Sequence, residues 1–112
     1  MKGTLLATSV AMAAAVIALA APAQADDYDT VFKNTVNGFG IYGSQDYLAW
    51  LGKISCDRMT RGVDGDAYKA ADFIQHNLPR GTTQGQAFQF LGASIDHYCP
   101  AEAPVLQAAG NH

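Results

Sequence analysis

The 112-residue sequence predicts an all-α domain, a compact bundle of about four short helices with one disulfide. Three observations predict it. Apolar residues recur at i, i+3, i+4 spacing almost continuously from Tyr28 to Leu106. The interruptions fall at glycines and prolines, and no stretch alternates apolar and polar residues as a half-buried strand does. Two cysteines, Cys56 and Cys99, stand far apart in that helical pattern.

Residues 1–25 carry the three parts of a secretory signal: Lys2, an apolar run from Leu5 to Ala21, and the small-residue site Ala23-Gln24-Ala25. Cleavage is expected before Asp26. A retained membrane anchor is the rival reading, but the run is Ala-rich, Pro22 breaks it, and no basic stop-transfer cluster follows. Neither a twin-arginine pair nor a cysteine at the cleavage point is present, so general secretion fits better than a lipoprotein. The expected product is one helical domain over 26–100 with a flexible C-terminal tail over 101–112.

In the first helix Tyr28, Val31, Phe32, Thr35, Val36 and Phe39 share a face, Asp26, Asp27 and Asp29 favour its positive N-terminus, and Gly38 and Gly40 end it. The second runs from about Gln45 to Arg61, with Ser44 as cap, Gly62 as stop, and Leu48, Leu51, Gly52, Ser55, Cys56 and Met59 inward. Tyr47 and Ile54 widen its apolar arc, which marks it as the expected centre of the fold. The third runs from about Ala67 to Leu78, capped by Asp64 or Asp66, with Ala67, Ala70, Ala71, Ile74 and Leu78 inward and Pro79 after it. Thr83-Gln84-Gly85-Gln86 is a capping box that opens the fourth, followed by Phe88, Leu91, Ile95 and Tyr98 at helical spacing up to Cys99-Pro100.

An exported domain this small gains little from its core alone, so a covalent staple is expected. Two cysteines permit one intramolecular pairing, Cys56 with Cys99, and closing that loop would stabilise the fold by about 4 kcal/mol. Free or intermolecular thiols are the alternative, and the absence of Cys-x-x-Cys spacing argues against redox work. Removing Lys2 with the signal makes the net charge of −3 more negative. The remaining lysines and arginines are scattered, so no nucleic-acid surface is expected.

Gly40-Ile41-Tyr42, Leu51-Gly52-x-x-x-Cys56, Gly62, Thr83-x-x-Gln86-Ala87-Phe88 and Tyr98-Cys99-Pro100 together resemble the domain of unknown function 732 family, small secreted actinobacterial proteins best populated in mycobacteria. The resemblance covers about residues 28 to 100. Ser55 departs from the aliphatic residue more usual before the first cysteine, and Trp50 is a bulky choice beside the helix core. The resemblance implies a Cys56–Cys99 pair and an envelope or extracellular location, and it implies no activity.

Gly38-Phe39-Gly40-Ile41-Tyr42-Gly43 matches G-x-G-x-x-G, yet a helix precedes it and no strand follows, so a glycine connector is the better reading. Asp72 and His76 share the polar face of the third helix with Lys69, and His97 projects away from Leu91 and Ile95, so no metal site or cofactor is expected. Asp57 pairs with Arg61 at i+4, and no serine stands in a recognisable triad with a histidine. A small hydrolase would need two of Asp72, His76, Asp96, His97 and a serine to converge in one cleft. The candidate binding patch is aromatic: Tyr47, Trp50, Ile54, Phe73, Phe90 and His97 fall on or beyond the borders of the inward stripes. Coverage from a second side is the alternative reading for these residues.

The expected function is therefore a secreted, non-catalytic binding or interaction module of the cell envelope, acting on a protein or envelope component with no membrane anchor after cleavage. A carrier of a small apolar ligand or haem, contacted by Trp50, Phe90 and His97, is the alternative.

Overall fold

Every regular element among residues 26–110, the part that the computed structural model describes, is helical. The signal peptide expected over 1–25 lies outside the described residues. Helix α1 covers 26–37, α2 Gln45–Thr60, α3 Ala67–His76 and α4 Gln84–Tyr98, and a 3-10 turn at Pro100–Glu102 leads into α5, Ala103–Gly110.

Local chemistry sets the boundaries. The Ser44 side chain accepts from the Tyr47 amide, Asp66 from Lys69, and Thr83 from Gln86, whose own side chain returns the bond to the Thr83 amide. Asp66, rather than Asp64, is therefore the cap of α3. Gly62, at φ 77, ends α2 in the left-handed conformation that glycine reaches without a Cβ penalty. Helix α3 stops at His76, two residues short of the sequence expectation, because Asn77 folds its amide back onto the Phe73 carbonyl.

The core holds Phe32 and Val36 from α1, Leu48, Leu51 and Met59 from α2, Ala67, Ala70, Ala71 and Ile74 from α3, and Ala87, Phe90, Leu91 and Ile95 from α4. Each large side chain among them contributes roughly 1.5–3 kcal/mol by leaving water. Tyr28 and Val31 of the expected α1 face are instead half exposed. Cys56 and Cys99 form the disulfide, with Cα atoms 5.9 Å apart, and tie the middle of α2 to the C-cap of α4.

Helix α4 packs on α2, α3 and α5 and meets α1 where Phe90 stands edge-on to Phe32 at 5.3 Å, and α2 likewise packs on α3, α4 and the 3-10 turn and meets α1 where Lys53 pairs with Asp29. One expectation is corrected. Residues 100–110 are helical where a flexible tail was expected: Val105, Leu106 and Ala109 pack on the core, and Glu102 accepts a hydrogen bond from Thr60. Among the described residues no helix is long and apolar enough to cross a membrane.

Candidate binding face

Tyr47 and Trp50 stand one turn apart on α2, their ring centroids 5.5 Å from each other, and both are more than two-fifths exposed. The Tyr47 hydroxyl donates to the Asn77 carbonyl at the end of α3, which fixes its ring in place. Tyr42, on the connector between α1 and α2, is the most exposed of the three at 66%. That connector begins at Gly40, φ 83, where the Gln86 side chain donates to the Phe39 carbonyl and holds the turn against α4.

Between the Tyr42 and Tyr47 rings runs an open trough of about 420 Å³, floored by Leu48 and Leu78 and walled by Tyr42, Gly43, Tyr47, His76, Asn77 and Pro79. A second open trough of about 360 Å³ continues past Tyr42 and Pro79 to Arg80, Thr82 and Gln86. The sequence reading missed Tyr42. Its signal was an aromatic residue between two glycines, on a connector with no helix face to bury it.

The remaining patch candidates do not join this face as exposed residues. Ile54 is half buried against the core. Phe73 is half buried beneath the Arg58 guanidinium, which lies 3.9 Å from its ring centre. Arg58 in turn forks onto the buried Asp64 carboxylate at 2.7 and 3.2 Å, and that hydrogen-bonded pairing raises the Arg58 pKa above its ordinary value. Phe90 is wholly buried, because α1 covers the side of α4 that a two-neighbour helix would leave open. His97 stacks on Tyr28 with centroids 3.8 Å apart, and its Nε2 donates to the Tyr28 carbonyl at 2.7 Å. The Tyr28 hydroxyl returns a bond to the His97 carbonyl, so the pair clips the start of α1 to the end of α4.

Beside that clip lies a titratable cluster. Tyr98 donates to Asp29 at 2.7 Å, and Lys53 reaches the other Asp29 oxygen at 3.2 Å. Burial alone would raise the Asp29 pKa, but the Tyr98 and Lys53 hydrogen bonds and the Lys53 charge outweigh it and hold the carboxyl below its ordinary value. Burial first, and then the bond to Asp29, push the Tyr98 phenol well above its ordinary value.

The residues that hydrolysis would need stand apart. Asp72 and His76 pair at 3.5 Å on an open face, while His97 is engaged by Tyr28 and Asp96 is exposed. Ser55 and Ser94 are buried, their hydroxyls donating to the Leu51 and Phe90 carbonyls. Among the described residues no three histidine, cysteine or acidic side chains are grouped to hold a metal.

A family model described as protein of unknown function (DUF732) matches residues 24–101. Two proteins of Mycobacterium tuberculosis, uncharacterized protein Rv0559c of strain H37Rv and uncharacterized protein MT0585 of strain CDC 1551, are each 72% identical to the chain over 110 residues, covering 98% of it and 98% of their own length. No solved structure matches the chain.

Proposed function

The chain belongs to the DUF732 family, and from that premise we propose that it is an exported, non-catalytic binding module whose contact face is built from Tyr42, Tyr47 and Trp50. The names of the family and of the two relatives specify no activity, so the proposal rests on the molecule itself. One observation carries it. Tyr42 and Tyr47 stay exposed along an open trough and Trp50 stays exposed beside Tyr47, although the same small domain buries Phe32 and Phe90 completely. Rigid aromatic residues on a surface supply contact area at low entropic cost, which is why they anchor recognition.

Export is supported by the signal-like pattern of residues 1–25 and by the Cys56–Cys99 disulfide, a bond that persists in oxidising compartments. The carrier alternative has weaker support. Of its three contacts, Phe90 is buried core and His97 is engaged by Tyr28, which leaves Trp50 alone on the surface.

Both parts can be tested in one mycobacterial host. A photo-crosslinking amino acid is placed at position 42, 50 or 61, the last being exposed on α2's far end, and the culture filtrate, wall and cytosol are separated. The reading expects a chain beginning at Asp26 outside the cytosol, and one common adduct from positions 42 and 50 that is absent from position 61. An uncut cytosolic chain would remove export, and equal adducts from all three positions would remove the face.

A further inference from the structure

Helix α5 is attached to the domain differently from the helices before it. Helices α2, α3 and α4 each bury four or more residues, whereas no residue of α5 is buried. Its Val105, Leu106 and Ala109 lie against the core without being enclosed by it. Among the described residues, the last side-chain hydrogen bond along the chain is the one from Thr60 to Glu102, at 3.1 Å, just before α5 begins. The Cys56–Cys99 disulfide likewise closes ahead of it. The base of the helix is therefore pinned twice, and the helix itself is held by apolar contact.

That contact is incomplete. Leu106 lies over α4 at Gly92, where an added Cβ would stand 3.6 Å from Leu106 Cδ2. Val105 and Ala109 meet Ala67 and Tyr68 of α3 around a cavity of about 160 Å³ that the helix leaves unfilled, and unfilled space forfeits dispersion contacts. The Tyr68 ring stands edge-on to Phe88, one turn before Gly92, with centroids 5.3 Å apart. Ala67, Tyr68, Phe88 and Gly92 thus mark out an apolar groove that α5 covers.

A helix of 8 residues is too short to persist in water by itself, because nucleation orders several residues before hydrogen bonding repays it. Helix α5 is therefore helical only while docked. The family model stops at residue 101, so the segment shared with the family holds the disulfide and α1 to α4 but not α5. Elements with little burial open locally while the rest of a domain stays folded.

We infer that α5 is a lid, hinged at Glu102, that opens while the disulfide-closed domain of α1 to α4 stays folded, and that opening bares the apolar groove along Tyr68 and Gly92. The groove shares no residue with the trough between the connectors, so this inference stands apart from the binding-module reading.

Hydrogen exchange of the oxidised mature protein tests the lid. The amides of residues 107–110 should exchange about a hundredfold faster than those of 91–95 in α4, because α5 opens locally and α4 opens with the whole domain. Leu106→Asp should speed the four α5 amides together and leave the thermal midpoint within a few degrees. Gly92→Ala, whose methyl has room against Leu106, should slow them. A fluorescent peptide of residues 101–112 should bind the Leu106→Asp protein about tenfold more tightly than the unaltered protein, whose own tethered α5 competes at high effective concentration. The same peptide carrying Leu106→Asp should not bind. Equal protection of α5 and α4 in the unaltered protein would overturn the lid. So would a drop of about 10 °C or more in the Leu106→Asp midpoint, which would make α5 part of the cooperative fold. Equal response to the two peptides, absence of binding included, would overturn the groove.

Discussion

Gly52 and Phe32 meet where α2 crosses α1: a Cβ placed on Gly52 would lie 2.9 Å from Phe32 Cζ, with Tyr98 only 3.0 Å away on the other side. Both neighbours are rings packed in or against the core. They cannot yield as the end of a flexible side chain could. Gly52→Ala should therefore destabilise the domain by about 1–3 kcal/mol through overpacking. Urea denaturation of the oxidised protein checks this, and an unchanged midpoint would mean the two rings move apart without cost.

The Cys56–Cys99 bond closes a sequence separation of 43 residues. Reduction, or replacement of both cysteines by alanine, should lower stability by about 4 kcal/mol, the loop-closure entropy returned to the unfolded chain. Comparison of denaturation midpoints for the oxidised and reduced forms measures it.

Asp29 and Tyr98 give the domain a stability plateau with two limbs. Asp29 has a lowered folded pKa, so its contribution is present above the ordinary value of 3.8 and is lost as pH falls through the lower folded value. Tyr98 has a raised folded pKa, so its contribution is present below the ordinary value of 10.0 and is lost as pH climbs from there toward the folded value. Asp29→Asn should flatten the acid limb, and Tyr98→Phe the alkaline limb. Thermal midpoints measured across pH for each variant test the two assignments, and each variant should also shrink the other limb in part because the two groups share one hydrogen bond.

Phe90 and Trp50, both read from the sequence as patch residues, should behave oppositely. Phe90 is wholly buried, and Phe90→Ala should cost about 3–5 kcal/mol. Trp50 is 47% exposed, and Trp50→Ala should cost less than about 1 kcal/mol. Equilibrium unfolding of the two variants distinguishes a core ring from a surface one.

The face that carries the proposed function was half legible. Tyr47 and Trp50 could be read from the helical wheel of α2 because they sit at i and i+3 beside its polar arc. Tyr42 could not be placed, since a residue on a connector has no periodicity to read. Asp64 is one of two cap candidates for α3 in the sequence, and only the fold shows it bound to Arg58, six residues back along the chain.

What the sequence determined by itself is what neighbouring residues decide among themselves. Ser44, Asp66 and the Thr83–Gln86 box start their helices through bonds that span three residues, so their chemistry is complete within a short window. Two cysteines likewise left Cys99 as the one possible intramolecular partner of Cys56, and the structure shows that bond formed. Tertiary structure decided how many neighbours each helix has. Phe90 is buried because α1 lies over α4, His97 is engaged because Tyr28 arrives from 69 residues away, and α5 forms against a surface that α3 and α4 supply. The free energy of those contacts comes from apolar area removed from water by a second element, and a pattern written along one helix holds no record of that second element's position.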